Sequence, residues 1–379
     1  MLQLKLVAVL LLVGLIAPRT STQKPQNTQS WFSLRIPRVL RLTSPSGVST
    51  LQRGAPPAAA AKAAMAVDAA NAFLATLDSR QRTKVALPLN ATTRTVWSNL
   101  PTGTRMQVGA TERNGLKFGD LSRAQQDAAL ALVASTLSRA GYEKVTHIVD
   151  ADQVLETRTA PTRPGSSQVR FGRAEYYVAM LGTPSATDRW MLQFGGHHLA
   201  INVTIGAGQT VLTPTHTGAQ PATYTLNGQT IRPLGGENDK AFKLMNALDA
   251  AQQKQALLGY EVRNLVLGPG EDGKVIQPEG IRGSALRPDQ RDMLLDLAGE
   301  WVNILNDAAA AAKMNEIKAN LADTYFAWAG STTNGQGAYF RVQGPTVSIE
   351  YAPQGNGTDH IHTIYRDPTN DYGSKLGAR

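Results

Sequence analysis

The sequence has no cysteine among its 379 residues. That excludes a disulfide framework, thiolate metal sites, iron–sulfur clusters and any cysteine nucleophile. Acidic residues are missing from the first sixty positions, which carry Lys5, Arg19, Lys24, Arg35, Arg38, Arg41 and Arg53. Removing those seven from the formal +9 leaves +2 for residues 61–379. The positive excess is an N-terminal property, so no nucleic-acid-binding face is expected on the folded part. Long apolar runs are scarce as well. Leu6 to Ala17 is closed by Pro18 and Arg19, short of the roughly 20 residues that a spanning helix needs. Gly-x-Ser-x-Gly and His-Glu-x-x-His do not occur, and Leu267-Gly268-Pro269-Gly270 lacks the Lys-Ser/Thr of a phosphate loop. No long-period repeat is visible, which argues against a solenoid or propeller.

Lys5, the apolar run and the small polar residues Thr20 to Thr22 read together as a secretory signal over residues 1–22. Export to the periplasm or the exterior is therefore expected. Residues 23–60, rich in Pro, Ser, Gln, Arg and then Ala, read as a flexible linker. Its arginines alternate with Trp31, Phe32, Leu34 and Ile36, a composition suited to peripheral contact with an anionic envelope surface. Residues 61–373 read as one domain, followed by a tail over 374–379.

Within that domain, helical spacing runs from Ala58 to about Val85. A second helix starts after Ser122, with Gln125 as capping-box partner. A third runs from Asp239 through Gln255, and two more fall between Pro288 and Asp323. Strand signal forms two blocks: 174–212, and then 339–343, 346–352 and 360–366. Helices and strands come in groups rather than in βαβ alternation. The expected fold class is therefore α+β, a single domain with a largely antiparallel sheet packed against several helices.

Five of the six histidines fall in three short motifs: Gly195-Gly196-His197-His198, Thr215-His216-Thr217, and Asp359-His360-Ile361-His362. Residues two apart on a strand share a face, so His360 and His362 project together, as chelation requires. A hairpin centred near Asn356 would set Glu350 opposite His362. Two imidazoles and a carboxylate would then converge, the ligand set of open zinc sites or of non-haem iron sites. The alternative is a hydrogen-bonded polar sheet face without metal. Adjacent strand residues point to opposite faces, so His198 is expected on the polar face and His197 on the apolar one. A site sunk into the core would reverse them. His216 follows Pro214 in a turn-like segment. His147 reads as an ordinary structural residue. Glu237 stands near the start of the third helix, where a favourable helix-dipole contact competes with catalysis. Arg366 is in phase with the His pair. It could bind an anionic substrate or pair with Asp371.

The segments Gly196-His197-His198-Leu199-Ala200-Ile201-Asn202, Leu234-Gly235-Gly236-Glu237, and Arg341…Glu350…His360-Ile361-His362…Arg366-Asp367-Pro368…Asp371-Tyr372-Gly373 together resemble one family. They are similar to the secreted proteins grouped as domain of unknown function 3500, from about Ala66 to Gly373. The resemblance implies one site drawn from His198, Glu237, His360 and His362. It implies an apolar or aromatic residue at the place of His216, and it implies no particular activity. The expectation is a metal-dependent hydrolase, with a zinc-bound water as nucleophile. His198, His360, His362 and Glu350 would be its ligands, with Glu237 and Arg366 as catalytic residues acting on a small or anionic substrate. The alternatives are a copper- or iron-dependent oxidoreductase and a non-catalytic envelope protein that binds a ligand or metal.

Overall fold

The computed structural model describes residues 58–104, 112–159, 169–355 and 357–377. The expected secretory signal and the expected linker, up to residue 57, lie outside the described residues. Eight helices occur among those residues: α1 (Ala58–Ala75), α2 (Ser79–Val85), α3 (Arg123–Thr136), α4 (Arg139–Thr159), α5 (Gly235–Ala247), α6 (Ala250–Ala256), α7 (Pro288–Val302) and α8 (Asp307–Ala319). The expected first and third helices are each split in two by an aspartate. Asp78 and Asp249 cap new helices by accepting the backbone N–H of Gln81 and Gln252, whose side chains answer in capping boxes. The Ser122–Gln125 box stands as read from the sequence. The α4 helix lies where no helix was expected beyond Gly141. Ser138 accepts the Gly141 N–H at its start, and the helix carries Asp150 and Asp152 on its buried side.

Eight strands form the body of one sheet: β1 (Tyr177–Leu181), β2 (Trp190–Gly196), β3 (Leu199–Gly206), β4 (Thr215–Ala219), β5 (Tyr325–Gly330), β6 (Ala338–Gly344), β7 (Val347–Pro353) and β8 (Ile361–Arg366). Their spatial order is β1-β2-β3-β4-β8-β7-β6-β5, and every neighbouring pair is antiparallel. Short strands extend it to twelve, one of which, Ala86–Leu87, runs parallel to β1. The two strand blocks of the sequence are thus halves of one sheet. The strand that joins them is β4, the segment holding His216, and it pairs with both β3 and β8.

The two faces are covered differently. On one, Trp328 (β5), Phe340 (β6) and Tyr351 (β7) form an aromatic row, with Trp328–Phe340 and Phe340–Tyr351 stacked. Helices cover it: Phe242 of α5 meets Trp328 edge-on, and Trp301 of α7 donates to the Thr363 hydroxyl. The other face carries Ala200, His216, Ile364, Glu350 and Arg341 in register across the strands. Irregular chain covers it, through Trp97, Leu265, Leu267 and Tyr372. Loops positioned by a rigid sheet are where binding groups concentrate.

Candidate metal centre

β2 and β3 form a tight hairpin in which Gly196 pairs with Leu199, leaving His197 and His198 as the two turn residues. His198 has a φ of 64°, the left-handed region that a type II turn reserves for its second central residue and that normally selects Gly or Asn. A histidine there costs about 1 kcal/mol or more of backbone strain, the kind of outlier that concentrates at binding sites. This turn overturns the expectation that His197 and His198 point to opposite faces. Strand alternation does not apply in a turn, and their ring centroids lie 3.6 Å apart with the planes tilted by 31°. Gly218 on β4 leaves the room: a Cβ there would stand 3.2 Å from His198 Cδ2 and 2.7 Å from the Ile361 carbonyl.

The turn lands beside the start of β8. His198 Nε2 lies 2.8 Å from His360 Nε2, which lies 3.1 Å from His362 Nε2. His216, opposite Ile364 on β4, completes a cluster of five imidazoles. Its own hydrogen bonds are complete. Nδ1 donates to the His198 carbonyl (3.3 Å), and Nε2 accepts from Asn99 Nδ2 (3.2 Å). Asn99 also accepts the His198 N–H at its carbonyl, 3.1 Å away. His216 therefore holds the turn in place and presents no free nitrogen. His197 Nδ1 donates to Asp152 Oδ1 at 2.6 Å, while Asp152 Oδ2 accepts the Gly172 N–H.

Every shifted imidazole moves the same way. Burial pushes His198 well below the usual histidine range, with His197, His362, His360 and His216 adding to it. Burial likewise lowers His216 to about 3, against the pull of the His198 carbonyl. His360 falls to about 4 through burial and then His197, and His362 lower still through burial and His216. These rings are neutral at ordinary pH, the state in which imidazole ligates a metal.

Two hydrogen bonds cannot account for the nitrogen contacts of His360. A ring nitrogen either donates one hydrogen or accepts one, yet this one faces two others. The spacing suits a shared cation instead. Nitrogens 2.0–2.1 Å from one ion stand about 2.9–3.4 Å apart between right-angled and tetrahedral geometry, which puts the ring centroids about 4.4–5.1 Å apart. The His198, His360 and His362 centroids are separated by 4.8, 5.1 and 4.8 Å. Ligand-atom distance alone groups His197, His198 and His360, all within 4.8 Å. The 3.6 Å approach of the His197 and His198 rings is too close for both to meet one ion head-on, and His362, whose Nε2 lies 3.1 Å from His360 Nε2, is the alternative third ligand.

The remaining expected site residues are elsewhere. Glu350 pairs with Ile364, and Ala352 stands opposite His362. The hairpin is centred one residue later than expected, which shifts the register by two and preserves the face. The Glu350 carboxylate accepts from Leu267 N (2.7 Å), Val266 N (2.9 Å) and Tyr339 Oη (2.7 Å), so it anchors a covering loop instead of a metal. Glu237 is buried in the helical layer. Lys144 Nζ of α4 stands 2.6 Å from it and 3.1 Å from Glu300 of α7, which makes an inter-helix ion cluster. Arg366 spends its donors on the Leu267 and Gly268 carbonyls and on Asp272 and Asp371. It clamps the same loop, with Nε, Nη1 and Nη2 all engaged by oxygen acceptors of the protein. Sequence reasoning missed Asp152 and Asn99, whose roles depend on contacts far along the chain.

Together these features define an α+β protein whose single large sheet carries, at one strand end, a largely buried cluster of five imidazoles, four of them held neutral by burial. A family model described as "Protein of unknown function (DUF3500)" matches residues 59–374, and the chain belongs to that family. No curated protein and no solved structure matches it.

Proposed function

We propose that this is an exported, metal-dependent protein that holds one zinc-class ion on His198, His360 and His362 and uses it for hydrolysis. The observation that carries the reading is the His360 Nε2, which stands within 3.1 Å of two other neutral, buried ring nitrogens. Three imidazoles leave a coordination position for water, the pattern of catalytic zinc, and the ion would lower the pKa of that water towards neutrality. Iron is disfavoured, because its facial triad needs a carboxylate and Glu350 is engaged elsewhere. Copper suits the same all-nitrogen donors, so a copper-dependent oxidoreductase is the second reading. A small substrate fits either. The expected preference for an anion loses its anchor with Arg366 held in the loop clamp. The expected linker, which ends before α1 at Ala58, would add the peripheral contact with an anionic envelope.

Elemental analysis of protein purified from the cell envelope tests the proposal. About one equivalent of zinc supports it, and one of copper moves it to the oxidative reading. Absence of any stoichiometric transition metal, together with no stabilisation by added zinc, would sink both. Metal-dependent turnover of ester, amide or phosphoester panels then tests hydrolysis itself.

A further inference from the structure

His197 belongs to the histidine cluster yet is stacked too closely on His198 to share its ion. Its surroundings are nonetheless built with care. The Asp152 side chain is fully buried, receives the Gly172 N–H on one oxygen and holds His197 Nδ1 on the other. Tyr176 Oη donates to the His197 carbonyl at 2.7 Å, and Phe171 packs against the ring at 5.0 Å. A carboxylate in that position fixes the tautomer, because it accepts and does not donate. In the neutral ring Nδ1 therefore carries the hydrogen, and Nε2 is the nitrogen with the lone pair. No hydrogen bond to that nitrogen occurs among the described residues, although the ring reaches within 4.8 Å of the ligand atoms of His198 and His360.

We infer that His197 is a specificity residue of the metal centre. Its Nε2, held as an acceptor by Asp152, takes a hydrogen bond from the ligand beside the three imidazoles. The site then selects ligands that carry a hydrogen on the metal-bound atom, such as water, an alcohol or hydrosulfide, over aprotic anions. Asp152 acts through His197 and is its positioning residue. This rests on the metal reading above and adds to it a ligand class and a role for a residue outside the ligand set.

Cobalt(II)-loaded full-length protein provides the test, with hydrosulfide as the protic probe and azide as the aprotic one, each titrated by visible absorption at one pH. His197→Phe keeps the ring stack and removes the acceptor. It should retain one equivalent of cobalt, weaken hydrosulfide about tenfold and leave azide within about twofold. If the unpaired Asp152 prevents folding, the His197→Phe/Asp152→Asn pair removes that charge and carries the same expectation. Asp152→Asn alone lets the imidazole turn its hydrogen to Nε2, so hydrosulfide should weaken while azide does not. Equal changes for both probes, or none for either, would overturn the inference and leave the metal site standing. Loss of cobalt in His197→Phe as complete as in His198→Ala would overturn it differently, by making His197 a ligand. Wild-type protein that holds no cobalt would remove the metal reading, and this inference with it.

Discussion

The two ends of β8 carry residues of the same phase and opposite meaning. At its start stand His360 and His362, with ring nitrogens that meet one another instead of ordinary partners. Four residues beyond His362, about 13 Å along an extended strand, stands Arg366, with its guanidinium engaged by two carboxylates and two loop carbonyls. One end is polar, largely buried and paired only ring nitrogen to ring nitrogen; the other is polar, buried and matched to four oxygen acceptors. Side-chain phase says which face a residue shares, and only the partner inventory says whether it is available for chemistry. A buried group whose donors are matched is structural, whereas neutral nitrogens crowded without matching hydrogens are placed to share a cation.

The largest expected effect lies at the complete end. Arg366→Ala leaves Asp272, Asp371 and the loop carbonyls without their partner, and removing one member of a buried pair typically costs about 3–5 kcal/mol. Urea unfolding should show that loss, while the protein that still folds should bind metal as before. A stability change below about 1 kcal/mol would remove the contrast between the two ends. Glu350→Gln should cost less, about 1–3 kcal/mol, because an amide oxygen replaces only part of a carboxylate that accepts three hydrogen bonds. Its metal content should be unchanged. A loss of metal would return Glu350 to the ligand set.

At the histidine end the expected effect depends on pH. His360 and His216 titrate near 4 and 3 in the folded protein, against an ordinary value of 6.5. A histidine lowered on folding binds more protons when unfolded, so its contribution to stability is intact above about pH 6.5 and is lost as pH falls towards the folded values. Metal-free protein should therefore show a melting temperature that declines between about pH 6.5 and 4. Replacing His216 by Gln should shrink that slope. A flat profile would mean that these imidazoles are not held neutral. The smallest effect belongs to His147→Ala, whose ring takes no part in the cluster. It should leave both the slope and the response to chelator unaltered.

Much of the site was legible from spacing. The alternation at His360 and His362, the fold class and the family motif all follow from period-2 patterning and residues that stand close in sequence. The expected strand phase failed at His197 and His198, because both take the alternation of the strand that follows, Leu199 onward, when read from sequence. The type II turn there is set by the pairing of Gly196 with Leu199, and a histidine is not the residue that ordinarily announces such a turn. β4 was hidden for a related reason. Thr215 to Ala219 has little apolar content, since it is buried among other strands and its polar side chains bond inside the sheet, as Thr217 does with Thr363. Asp152 could not have been singled out from sequence. It is one of several acids on α4, and its contact with His197 spans 45 residues.

The central claim is that the crowded imidazoles hold a metal ion, and thermal unfolding with and without chelator tests it most directly. Wild-type protein purified without chelator should carry about one equivalent of transition metal, melt at lower temperature after chelation and recover when zinc is returned, by mass action on the folded state. The His360→Ala/His362→Ala double substitution should carry no metal and show neither response. Wild-type protein that is metal-free as purified and melts at the same temperature with chelator, with zinc and with neither would contradict the claim.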